Sequence, residues 1–201
     1  ESEEYSSMQG TEWADKLAPT EFDSSTNYLW LDFETKNPEF KTFISNENFR
    51  RALQYAIDRE SIAYLRDSVN PARLVRNTIC AEKMIYDSNG KDYTDYDALS
   101  PIKKTNYSNK ELARQYMEKA VAELCDAEGN IKGVKAAKVD MLPIVSFDVD
   151  GKLPVTVMYV GTDDENEIIM AQLIEAMFEE ALGTDYIDVQ LAFCTSSFYS
   201  T

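Results

Sequence analysis

At 201 residues, 44% apolar and 28% charged, the chain is long enough for one domain, or one large lobe, with a core of its own. Thirty-six acidic residues against 20 basic ones leave a formal charge of −16, a field that repels phosphate backbones and anionic lipid heads and so disfavours nucleic-acid and membrane-surface binding. Histidine is absent, which removes Ser-His-Asp and Cys-His catalysis, imidazole metal ligation and histidine pH switches.

Residues 1–27 are acidic and rich in Ser and Thr, with Tyr5, Met8, Trp13, Leu17 and Phe22 as the available anchors, and read as a lead-in that is helical around Thr11 to Leu17. An α/β lobe is expected over 28–201. Tyr28 to Phe33 (YLWLDF) is β-prone and alternates Tyr28, Trp30 and Asp32 with Leu29, Leu31 and Phe33, which predicts a strand. Asn37-Pro38 predicts an extended or turn segment. Phe49, Ala52, Leu53, Ala56 and Ile57 then recur at helical spacing, with Arg50, Arg51, Gln54 and Asp58 on the opposite side. Ser45 or Asn46 supplies the cap of this helix, and Asp58 that of its continuation from Arg59 to Arg66.

Residues 68–107, punctuated by Pro71, Pro101 and Asp87-Ser-Asn-Gly90, read as loop with short helical turns, and a loop of that length is usually functional or wraps a neighbour. Ser108-Asn-Lys-Glu111 is a capping box ahead of Leu112, Tyr116, Ala120 and Leu124, a helix of about four turns. Asp126 to Asp150 is loop-rich, and Asp150-Gly151 predicts a hairpin turn. Leu153 to Val160 is apolar on both sides, as a strand buried on two faces is. Thr162-Asp-Asp-Glu165 is a second capping box, opening a helix through Ile168, Leu173 and Met177 to Gly183, a natural C′ residue. Ile187, Val189, Leu191 and Phe193 alternate with polar or small residues in a last strand, so the final third predicts a βαβ unit with parallel strands.

In an open parallel sheet, ligands gather beyond the carboxyl ends of the strands. That edge makes Tyr159, Thr162, Asp163 and Glu165 the candidate ligand-binding residues, with helix capping as the plain structural role of Thr162 and Glu165. The acids of the first turn suit the helix dipole and would repel an anionic ligand, so a phosphate site is not expected. Asp87-x-Asn89-Gly90-x-Asp92 and Asp126-x-Glu128-Gly129-Asn130 imitate calcium loops, but the glycine is misplaced and no closing Glu follows, which leaves Asx-rich turns. Asn106-Tyr-Ser108 fits a glycosylation sequon, and Asp163 with Asp164 is a carboxylate pair of the kind that acid–base chemistry would need. With 36 acids such pairs arise by chance, so no catalytic residue, metal or cofactor is assigned. Cys80, Cys125 and Cys194 lack CxxC spacing; Cys125 and Cys194 read as small core residues. No run of 18 apolar residues or secretory leader pattern is present, and the non-Met start with the SSFYST end suggests a chain excised or processed at both ends.

Taken in order, YLWLDF, Asn37-Pro-Glu-Phe40, the run Phe49-Arg-Arg-Ala-Leu-Gln-Tyr-Ala-Ile-Asp-Arg-Glu-Ser-Ile62, Pro71-Ala72, the helix Ser108 to Leu124, Leu153 to Tyr159, Ile168 to Gly183 and Ile187 to Leu191 resemble the extracytoplasmic solute-binding proteins of peptide/nickel-type ABC importers. Glu34 stands where that family usually has Asn, and Asp126 to Asp150 is longer than the family pattern. The resemblance implies one lobe of a periplasmic-binding-protein-like type II fold, a mixed sheet flanked by helices. It also implies a bacterial, lipid-anchored or periplasmic location, a peptide or other small solute (dipeptide, oligopeptide, nickel or sugar) as ligand, and a second lobe and ABC permease subunits as partners. The family's acidic anchor for a peptide amino terminus falls after the last residue, so this lobe alone is expected to bind peptides weakly or not at all. The competing reading is an extracellular protein-interaction domain using Tyr93, Tyr96 and Tyr107.

Overall fold

The computed structural model describes residues 7–8, 10–16, 26, 28–35, 38–127, 155–161 and 165–194, with Asp15, Glu39, 155–161 and 192–194 described as backbone. Helices α1 (Pro38–Ser45), α2 (Glu47–Ala56), α3 (Arg59–Tyr64) and α4 (Lys110–Leu124) precede strand β1 (Val155–Gly161), helix α5 (Glu165–Leu182) and strand β2 (Asp188–Cys194). Contact density divides the chain into two units, Glu1–Leu29 with Arg59–Asn106, and Trp30–Asp58 with Tyr107–Thr201.

The second unit holds α1, α2, α4, α5 and the sheet. Helix α2 buries Phe49, Ala52, Leu53 and Ala56, the stripe expected from spacing. Its cap is Asn46, whose side chain accepts from the Phe49 amide at 3.0 Å, while Ser45 closes α1 by donating to the Lys41 carbonyl. Asn46 and Asn48 also donate to Glu123 near the end of α4, at 2.8 and 2.9 Å. At the other end the Asn109 amide donates to the Tyr55 carbonyl, so α2 and α4 run antiparallel. Their seam is sealed by Ala113, Met117 and Ala120 and by the stacked rings of Tyr55 and Tyr116, 5.6 Å apart. Phe43 of α1 meets Phe49 edge to face at 5.3 Å. Helix α5 turns one broad arc inward through Ala171, Ile174, Met177, Phe178, Ala181 and Leu182, and it touches α2, α4 and both strands.

Strands β1 and β2 are parallel, in the register Val155↔Asp188 to Gly161↔Cys194, with α5 as the crossover. This is the βαβ unit expected of the last third. Ile187 and Val189 are buried. The two-face burial expected of Leu153 to Val160 concerns side chains outside the described set, and the expected Asp150-Gly151 hairpin and helical turn at Leu17 also lie outside it.

Three local expectations are corrected. Tyr28 to Phe33 is irregular and not a strand, and Trp30 is 74% exposed. Alternation fits a pleated surface, but a strand also needs a neighbour to take its hydrogen bonds. Pro38 opens α1 instead of a turn, because at the first helical position the missing N–H has no intrahelical partner to lose. The cap of α4 is Asn109, which accepts from Leu112 at 2.9 Å, one residue after the expected Ser108.

In the first unit, α3 takes its cap from far along the chain: the Asn106 side chain accepts from the Arg59 amide at 2.7 Å. Asp67 gathers the amides of Val69 and Asn70 and pairs with Arg73, which holds the 3-10 turn Pro71–Leu74. Asp87 accepts from the amides of Asn89 and Lys91, at 2.8 and 2.9 Å, and from Tyr96 Oη at 2.7 Å. It is an Asx turn with Gly90 at φ +79°, as expected.

Candidate functional site

The carboxyl ends of β1 and β2 lie together because the strands are parallel and Gly161 is paired with Cys194. Helix α5 begins at Glu165, soon after β1 ends, so its leading backbone N–H groups face the same edge. Tyr159 is in β1, in register with Ala192, and Glu165 is the exposed first residue of α5. Thr162 and Asp163, with the rest of the expected capping box and Asp164, lie outside the described residues. Glu165 and Glu167 both stand in the first turn. Their carboxylates complement the positive helix end, so this edge attracts a cationic or neutral polar group better than an anionic one.

What aims α5 at that edge is a set of contacts at its other end. Arg114 of α4 donates to the Leu182 carbonyl at 2.8 Å and to both oxygens of Asp185 at 2.8 Å. Its guanidinium lies 4.3 Å from the centre of the Tyr186 ring. The hydrogen bond from Arg114 holds the Asp185 carboxyl below the usual carboxylate range. Glu179 of α5 accepts from the Val189 amide at 3.2 Å, tying the helix to β2. Beside it, burial and the nearby Glu179 and Asp188 charges push the Glu175 carboxyl up. Sequence periodicity finds none of these residues, because their partners lie off the helical repeat: Arg114 reaches Leu182 and Asp185, in another element, and Glu179 reaches the Val189 amide of β2.

The other singled-out groups are structurally employed. The side-chain oxygen of Asn106 in the sequon caps α3. Tyr93 Oη accepts from the Cys80 amide at 3.0 Å, Tyr96 Oη donates to Asp87, and Tyr107 packs on Tyr55 at 6.4 Å, so all three tyrosines proposed for a contact patch have partners of their own. Cys125 is buried, as expected, and Cys80 is half-buried. Asp126-x-Glu128-Gly129-Asn130 is only partly within the described residues. Among those residues no helix is long and apolar enough to cross a membrane.

A parallel βαβ layer with helices packed against its crossover defines an α/β lobe. The family model of the bacterial extracellular solute-binding proteins, family 5 (Middle), matches residues 4–200, and the chain belongs to that family. No curated protein matches. A solved structure described as "Structure and mode of peptide binding of pheromone receptor PrgZ" is similar at 20% identity and a TM-score of 0.47, over 81% of this chain and 25% of that one. The chain thus spans about a quarter of the length of that receptor. The sheet is small for such a lobe: two strands, both parallel, among the described residues.

Proposed function

We infer that this chain is part of the substrate-binding protein of a bacterial ABC importer, capturing oligopeptides or a related small solute outside the cytoplasmic membrane and handing them to permease subunits. The observation that carries the reading is the family match along nearly the whole chain. In this reading Tyr159, Thr162, Asp163 and Glu165 form one wall of the cleft and a second lobe the other, which the parallel β1–β2 pairing and the start of α5 at Glu165 support. The lobe is taken as 28–201 with residues 1–27 as a lead-in. A binding role without catalysis accords with the lack of histidine. The protein is periplasmic or lipid-anchored at the outer face of the membrane.

With one wall of a two-lobed cleft, peptide affinity is expected in the millimolar range, roughly −4 kcal/mol. Amide hydrogen exchange of the chain with and without a millimolar pool of tripeptides tests this. Slowed exchange concentrated at 159–167 is expected; unchanged exchange along the whole chain refutes the assignment.

A further inference from the structure

Within an acidic chain, residues 59–106 run against the trend, with eight Lys and Arg to seven Asp and Glu. Six of these basic side chains also converge. A small cavity lined by Arg73, Arg76, Glu82, Lys103 and Lys104 adjoins an open depression of about 400 Å³, since Glu82 and Lys103 line both. Lys83, Lys91 and Tyr86 complete the cationic and aromatic lining of the depression.

The three carboxylates on this surface are already committed. Glu82 pairs with Lys103 and Lys104, at 3.1 and 3.4 Å, and Asp95 pairs with Lys103 at 2.6 Å. Asp92 accepts from the Thr94 amide and hydroxyl, at 2.8 and 2.7 Å, and from the Lys83 amide. That last contact holds Lys83 at φ +67°, a left-handed conformation uncommon for a residue with a side chain. Lys83 forms no ion pair among the described residues, and Lys91 lies with its ammonium 4.5 Å from the centre of the exposed Tyr96 ring. Tyr86 stands 53% exposed at the rim. Among the described residues, two ammonium groups thus lack a carboxylate partner beside anions that are satisfied, next to an aromatic ring.

We propose that this depression is a subsite for the carboxylate-bearing part of an acidic peptide, with Lys83 and Lys91 supplying the counter-charge and Tyr86 the apolar wall. It rests on the solute-binding reading for its class of ligand, but uses residues distant in sequence from the β1–β2 edge. Ammonium–carboxylate hydrogen bonds are charge-assisted and, at an exposed site, weaken with salt.

The test is an amide-resolved NMR titration of the full 201-residue chain at fixed ionic strength with tri-glutamate, trilysine and sodium sulfate as probes. Tri-glutamate is expected to shift amides of residues 83–94 saturably, trilysine to leave them in place, and the K83Q/K91Q variant to weaken the tri-glutamate response roughly fivefold or more. Equal shifts with sulfate would reassign the depression as a simple anion site and overturn the proposal, as would silence at 83–94 in the wild-type chain. Amides at 159–161 and 165–167 report the strand edge in the same spectra. A peptide that moves those and not 83–94 rejects this subsite and leaves the edge reading intact; the converse supports the subsite and counts against the edge.

Discussion

The guanidinium of Arg114 fills the space that a side chain on Gly183 would need: a β-carbon on Gly183 would overlap Arg114 Nη1. Gly183 itself has φ +95°, the left-handed conformation that ends α5. From the vacated space Arg114 satisfies the Leu182 carbonyl and grips Asp185 through two parallel hydrogen bonds. One glycine therefore sets both the end of the crossover helix and the placing of the arginine that ties it to α4.

Gly183→Ala strains the backbone and expels the guanidinium, and should cost roughly 2–3 kcal/mol of stability. Arg114→Lys keeps the charge but loses the bidentate grip, at about 1 kcal/mol. Because the two residues act as one unit, the double variant should fall short of the sum in urea denaturation. A neutral Gly183→Ala would mean that Arg114 relocates without loss.

Asp185 and Glu175 titrate in opposite senses. Arg114 holds the Asp185 carboxyl low, so its contribution is complete at neutral pH and fades as pH falls from the unfolded value, about 4, through the folded one. The stability gap between wild type and Asp185→Asn should accordingly narrow in acid. Burial, then Glu179 and Asp188, hold Glu175 high, so its contribution is complete below the unfolded value and is lost as pH rises through the folded one. Glu175→Gln should raise Tm at pH 7 and leave it unchanged below about pH 4. Thermal melts across pH read both effects.

The helix caps give a sharper comparison. Asn109→Ala should cost about 1 kcal/mol and Ser108→Ala less than about 0.5, because Asn109 is the residue that reaches the Leu112 amide. Asn46→Ala should exceed Asn109→Ala, since Asn46 both caps α2 and binds Glu123. Chemical denaturation separates these; Ser108→Ala as costly as Asn109→Ala would place the cap where the S-x-x-E pattern had it.

That comparison marks how far sequence carries. The stripe of α2 was legible because burial of Phe49, Ala52, Leu53 and Ala56 follows from helical spacing alone, and the βαβ unit because strand, helix and strand are each long and regular. Caps one residue apart, such as Ser108 and Asn109, have nearly equal intrinsic preference, and only the entry path of the chain chooses between them. The alternation of Tyr28 to Phe33 promised a strand whose existence depends on a neighbour. Of the candidate edge, Tyr159 and Glu165 follow from topology, whereas Arg114 and Glu179, which fix the far end of α5, act through contacts with no local pattern.

The central claim is that ligand meets this chain at the carboxyl edge of β1 and β2. Paramagnetic broadening by a nitroxide-labelled tripeptide measures this directly, since it reports proximity even for weak binding. The amides of Gly161 and Glu165 should broaden first and recover when unlabelled tripeptide is added. Broadening that spares both of them while marking other surfaces of the chain would contradict the account.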